Sequence, residues 1–175
     1  RDESGVNSVN LKQDGAVRTV RVAGGVVLAS GGFNRHPQLR DSMLPGADPA
    51  WCPGAPGHTG QAQQLARAAG AHFAEGAMSN SFWAPVSVRK REDGSQAVFP
   101  HFVMDRAKPG MLTVNAAGER FVNESTSYHL FGRAMFEHNK RVPCIPCFII
   151  TDAVTAPITE PMITTPARLE ACVVV

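Results

Sequence analysis

The chain has 175 residues, of which 43% are apolar and 18% charged, so it can bury a core and does not read as a disordered tail. Its 17 Lys+Arg against 15 Asp+Glu leave a net charge of +2 and no basic stripe, which gives no case for nucleic acid. The longest apolar runs, 24–30 and 146–150, fall far short of a membrane span, and 4 unevenly placed cysteines suit a reducing, cytoplasmic setting better than a disulfide scaffold.

The opening Arg1-Asp2-Glu3 has no initiating Met and no leader pattern, and reads as mid-protein sequence. Residues 6–11 and 17–22 are β-prone and flank Gln13-Asp14-Gly15, a hairpin signal, with one wet face expected. The run 26–29, Val-Val-Leu-Ala, is apolar on both parities, as in a central strand covered on both faces. It stops at Ser30-Gly31-Gly32. Thr59 to Ala69 reads as a helix capped by Thr59, with Ala62, Leu65, Ala66 and Ala69 on one face suited to a flat partner such as a sheet. Residues 82–88 and 97–104 form a second hairpin pattern around Arg91–Ser95. Residues 111–115 and 120–123 form a third around Ala116–Glu119. Ser127 to Lys140 reads as a helix with an apolar stripe of Leu130, Phe131, Ala134 and Met135, continued by His138. Pro146 to Thr151 reads as a buried strand, and no clear period follows from Ala153. The order is that of an α+β chain whose strand 26–29 belongs to a sheet larger than the chain itself supplies.

Four constellations carry chemistry. Ser30-Gly31-Gly32 after a strand lets backbone approach a ligand closely, unless it is only a tight turn. Gly57-His58-Thr59-Gly60-Gln61 opens a helix whose free N–H groups suit an anion or a flavin edge, unless it is only a capped start. In Asn115 to His129, Arg120 and Glu124 are spaced for a solvated pair, and Tyr128 is the only tyrosine. A phenol titrates near about 10 and needs electropositive company to act as a base, so packing is the plainer role for a lone tyrosine. Cys144-Ile145-Pro146-Cys147 is a single Cys-x-x-Cys leading into an apolar strand, which favours buried, inert, metal-free thiols.

Together these segments resemble the flavoprotein family of fumarate reductase, succinate dehydrogenase and 3-ketosteroid Δ1-dehydrogenase. The motifs are 26–33, Val-Val-Leu-Ala-Ser-Gly-Gly-Phe; Thr59-Gly60 with its alanine-rich helix; 114–124, Val-Asn-Ala-Ala-Gly-Glu-Arg-Phe-Val-Asn-Glu; and Ile149-Ile150-Thr151-Asp152. The steroid branch is the nearer one, because Tyr128 stands where fumarate reductases carry a catalytic arginine. The resemblance implies FAD as cofactor of a parent protein, with Ala29, Ser30, Gly31, Gly32, Thr59 and Gly60 near it. It implies Tyr128 as the catalytic residue, and Phe82 and Trp83 lining an apolar substrate cavity, with no metal. It also implies 1–45 as the end of a Rossmann-like FAD-binding domain and 46–152 as a substrate-capping domain, leaving 153–175 unassigned. The family's Gly-x-Gly-x-x-Gly fingerprint is absent, and Gln61-Ala62 replaces Asp-Gly. The chain is therefore expected to be a central fragment that needs the rest of the flavoprotein to hold FAD. The expected activity of the parent is dehydrogenation of a ketone-bearing, 3-ketosteroid-like substrate. A dicarboxylate oxidoreductase and an inert, isolated cap domain are the alternatives.

Overall fold

A computed structural model describes residues 5–74, 80–152 and 172–174. The chain opens with β1 (Ser8–Gln13) and β2 (Ala16–Arg21), paired antiparallel with Gln13 opposite Ala16. Only a two-residue loop that bends against the usual sign of φ joins such a pair without splaying the strands. Asp14 and Gly15 supply it, with φ of 50° and 80°. The hairpin stands clear of the core on both faces: Leu11 is 51% and Val17 66% exposed.

Residues 26–29 do not form the expected strand. They run without a ladder partner among the described residues, and Val27 is 90% exposed. An apolar run becomes a buried strand only when neighbours pair and cover it, and none of the described residues does so here.

Helix α1 (Pro37–Met43) begins at His36, whose ring nitrogen accepts the Leu39 N–H, with Pro37 at a position where a missing N–H costs nothing. A 3₁₀ turn, Pro49–Trp51, follows and is capped by the Asp48 side chain. Buried Arg40 ties this loop together by donating to the carbonyls of Asn34, Ala47 and Asp48. Helix α2 (Gln61–Ala68) starts two residues later than expected. Its cap is Gly60 in the left-handed region, not Thr59, and no residue of the helix is buried. The alanine face therefore has no flat partner among the described residues.

The second hairpin is present as β3 (Ala84–Lys90) and β4 (Gln96–Pro100), with Lys90 opposite Gln96. The expected strand to 104 ends at Pro100, and α3, a single turn (Val103–Arg106), takes its place. The third hairpin reduces to one bridge, Val114 to Arg120. Strand β5 (Met111–Val114) pairs instead with β6 (Phe148–Thr151), antiparallel. Glu124 places its carboxylate on the Thr113 N–H at 2.7 Å, filling the place a returning strand would occupy.

Helix α4 (Tyr128–Asn139) matches the expected element, with the Ser127 hydroxyl accepting the Leu130 N–H. Its buried face is Phe131, Gly132 and Met135; Leu130 is 50% exposed, so the stripe is rotated from the sequence reading. Phe131 and Met135 pack with Met43, Leu44, Trp83, Cys144 and Cys147 into the main core. Within the expected aperiodic tail, 153–171 lies outside the described residues, and β7 (Cys172–Val174) pairs antiparallel with β3.

Candidate functional site

The two glycine segments singled out in the sequence are knitted to each other. The Gly60 N–H donates to the Gly32 carbonyl at 3.1 Å, and the Gln63 side-chain amide donates to the Gly31 carbonyl at 3.4 Å. Gly31 has φ +98°, and a Cβ there would lie 2.5 Å from the His58 ring, so glycine is required both by backbone and by contact. Ala29 and Ser30 lead into this turn with exposed backbone, Thr59 is half-buried and Gly60 buried.

Gly32, Asn34, His58, Gln63, Ser81 and Phe82 are among the residues lining a cavity of about 400 Å³. Phe82 is 70% exposed, an apolar ring offered to whatever fills the space. Trp83 is different. It is buried in the core, where its ring meets Phe136 edge-on, 5.1 Å between centroids, and it does not line the cavity.

The Phe82-Trp83 pair also touches the start of α4. The Trp83 N–H donates to His129 Nδ1 at 3.1 Å, and the Phe82 ring meets the His129 ring edge-on at 5.5 Å. His129 follows Tyr128 directly, so the cavity wall and the tyrosine share one support. Tyr128 is the first residue of α4, where the helix dipole is positive and favours nearby negative charge. Its ring lies edge-on to Phe102 at 5.3 Å.

The loop before Tyr128 is held by charge. Glu124 is buried and not solvated, unlike the surface pair expected from spacing alone. It accepts Arg120 Nη2 at 2.5 Å as well as the Thr113 N–H. Burial pushes this carboxyl up, but the Arg120 hydrogen bond and the Thr113 N–H outweigh it and hold it below its ordinary value. Arg106, 1% exposed, donates to the Glu124 and Thr126 carbonyls from the other side. The sequence reading passed over Arg106 and His129. Arg106 follows an apolar run read as strand, and His129 lacks any pattern of its own.

Cys144 and Cys147 are buried, and burial pushes the Cys144 thiol up to about 12. Among the described residues no group of three His, Cys, Asp or Glu is placed to hold a metal, and no helix is long and apolar enough to cross a membrane.

The fit of the glycine segments to a flavin edge can be judged from the structure. Gly31 and Gly32 present backbone without side chains, and Gln63 Oε1 beside them is buried with no partner among the described residues. These features suit a flat polar group arriving at this edge.

Comparison with known proteins agrees in kind. The family model for the FAD binding domain matches residues 1–160. The 4-oxocyclohex-2-ene-1-carboxylate 5-dehydrogenase of Sinomonas cyclohexanicum is 40% identical over 118 residues, covering 66% of this chain and 20% of that protein. The 3-oxosteroid 1-dehydrogenase of Mycolicibacterium smegmatis is 29% identical over 154 residues, covering 84% of this chain and 26% of that one. The crystal structure of 3-ketosteroid delta1-dehydrogenase from Sterolibacterium denitrificans, in complex with 1,4-androstadiene-3,17-dione, superposes with TM-score 0.66 at 30% identity, over 86% of this chain and 26% of that chain. The chain thus spans about a fifth to a quarter of the length of these relatives.

Proposed function

The chain belongs to the FAD binding domain family, which makes FAD the cofactor of the parent protein, and on that premise we propose that the parent dehydrogenates an apolar ring ketone of 3-ketosteroid type. We assign residues 1–45 to the end of the FAD-binding domain and 46–152 to a cap over the substrate. Ala29, Ser30, Gly31, Gly32, Thr59 and Gly60 would lie along one edge of the flavin. When bound, the flavin supplies a two-electron acceptor. Phe82 contributes apolar contact to the substrate, and Trp83 fixes Phe82 and His129 from the core.

The observation that carries this reading is the placement of Tyr128 at the first position of α4, with His129 joining it to the Phe82 wall. A phenolate there can take the proton from the carbon beside a ketone and is left as the neutral phenol, and a helix N-terminus is a place that favours the anionic form from which the step starts. The dicarboxylate alternative asks for free cationic clamps. Of Arg120 and Arg133, the two arginines available for that role, Arg120 is engaged by Glu124, and the catalytic arginine of fumarate reductases is replaced by Tyr128 here.

The test is substrate choice. The parent enzyme, assayed with an artificial electron acceptor, should oxidise a 3-ketosteroid or an oxocyclohexane carboxylate and leave succinate untouched. Succinate oxidation with no turnover of any cyclic ketone would reverse the assignment.

A further inference from the structure

Arg106 grips the chain on both sides of Tyr128. Before Tyr128, its guanidinium donates to the carbonyls of Glu124 and Thr126, the latter at 2.5 Å. After Tyr128, the guanidinium carbon lies over the Phe131 ring, 4.5 Å from its centroid. Phe131 is 1% exposed and sits three residues on from Tyr128, one turn along the same helix. The loop between is already shaped locally, since Asn123 Oδ1 accepts the Ser125 N–H and the Thr126 N–H donates to the Asn123 carbonyl. None of those bonds fixes where the loop sits relative to the rest of the fold. Arg106 does, because it arrives from another element. The turn that carries it, α3, begins at Phe102, whose ring meets the edge of Tyr128. One rigid turn therefore sets the backbone before Tyr128, the helix after it, and the ring beside it.

We infer that Arg106 is a positioning residue for Tyr128, a clamp that fixes the phenol oxygen relative to the cavity. Lysine keeps the charge but loses the planar fork that spans two carbonyls while stacking on a ring. A misplacement of about 1 Å at a reacting group can cost about 10²-fold in rate.

The inference rests on Tyr128 as the acid–base group, and the experiment separates the two. In the parent enzyme, Arg106→Lys should lower kcat by about 10- to 100-fold with KM little changed. The double variant Arg106→Lys, Tyr128→Phe should be no slower than Tyr128→Phe alone, since a clamp has nothing to place once the hydroxyl is gone. Full additivity of the two losses, or an unchanged kcat in Arg106→Lys, would overturn the clamp while leaving Tyr128 standing. An unchanged kcat in Tyr128→Phe would overturn the reading beneath it. If Arg106→Lys does not fold, Phe131→Leu carries the same cycle, because it removes the ring under the guanidinium and keeps an apolar core residue. Because Tyr128 is the only tyrosine, 3-fluorotyrosine labelling of this chain gives one ¹⁹F signal. That signal should shift or broaden in Arg106→Lys at unchanged far-UV circular dichroism. An identical signal would also overturn the clamp.

Discussion

Replacing Glu124 by alanine should destabilise the chain through one bond above all. The Glu124 carboxylate accepts the Thr113 N–H at 2.7 Å, and Thr113 is fully buried, so no water can take over that donor. Leaving such a buried N–H without a partner costs about 1–3 kcal/mol. The Arg120 bond adds little, because the Arg120 side chain is 58% exposed and screened by water and salt. Glu124→Gln keeps an acceptor for Thr113 and loses only the charge, so its effect should be smaller. The pH dependence follows from the lowered carboxyl. A folded value below the unfolded one, which is about 4.3 for glutamate, means the charged form favours the fold. That contribution is complete above the unfolded value and disappears as pH falls through the folded value. Urea denaturation of wild type, Glu124→Ala and Glu124→Gln at neutral and acid pH reads all of this. The wild-type advantage over Glu124→Gln should shrink in acid. The reasoning is refuted if Glu124→Ala stays within about 0.5 kcal/mol of wild type, the range of an ordinary surface change, or if the gap to Glu124→Gln is the same at every pH.

Gly31→Val meets both a positive φ and the His58 ring, and should cost about 1–3 kcal/mol or more; in the parent it should abolish flavin content, which absorbance at the flavin band checks against protein concentration. Cys144, with its thiol pushed up to about 12, should resist a thiol reagent in the native chain at neutral pH and react only after unfolding; rapid native labelling at Cys144 would contradict its burial. The chain on its own should show no saturable FAD binding in a fluorescence titration, because its sequence holds no Gly-x-Gly-x-x-Gly fingerprint; binding in the low micromolar range would show that the glycine edge suffices.

The elements that sequence announced are those whose cause is local. Asp14-Gly15 must turn because its residues tolerate positive φ, and α4 begins where Ser127 can cap it. The elements it missed depend on distant partners. The run 26–29 has the composition of a buried strand but no neighbour here to pair with. The third hairpin gave way to β5 pairing with β6, since a carboxylate ten residues downstream of Val114 took the strand's N–H. The same division holds at the site. Gly31, Gly32, Thr59, Gly60, Phe82 and Tyr128 stand out by motif. His58, Gln63, His129 and Arg106 matter through contacts across the fold, and no spacing rule marks them. The Arg120–Glu124 spacing was legible, but not that the pair buries its carboxylate.

Tyr128→Phe in the parent enzyme tests the central claim most directly. The ring and its contact with Phe102 remain, so folding and flavin content should be unchanged. Only the hydroxyl is lost. A positioned acid–base group contributes about 10²–10⁴-fold, so turnover of a cyclic ketone should fall by that factor. Turnover at the wild-type rate, with flavin fully loaded, would make Tyr128 a packing residue and contradict the proposed chemistry.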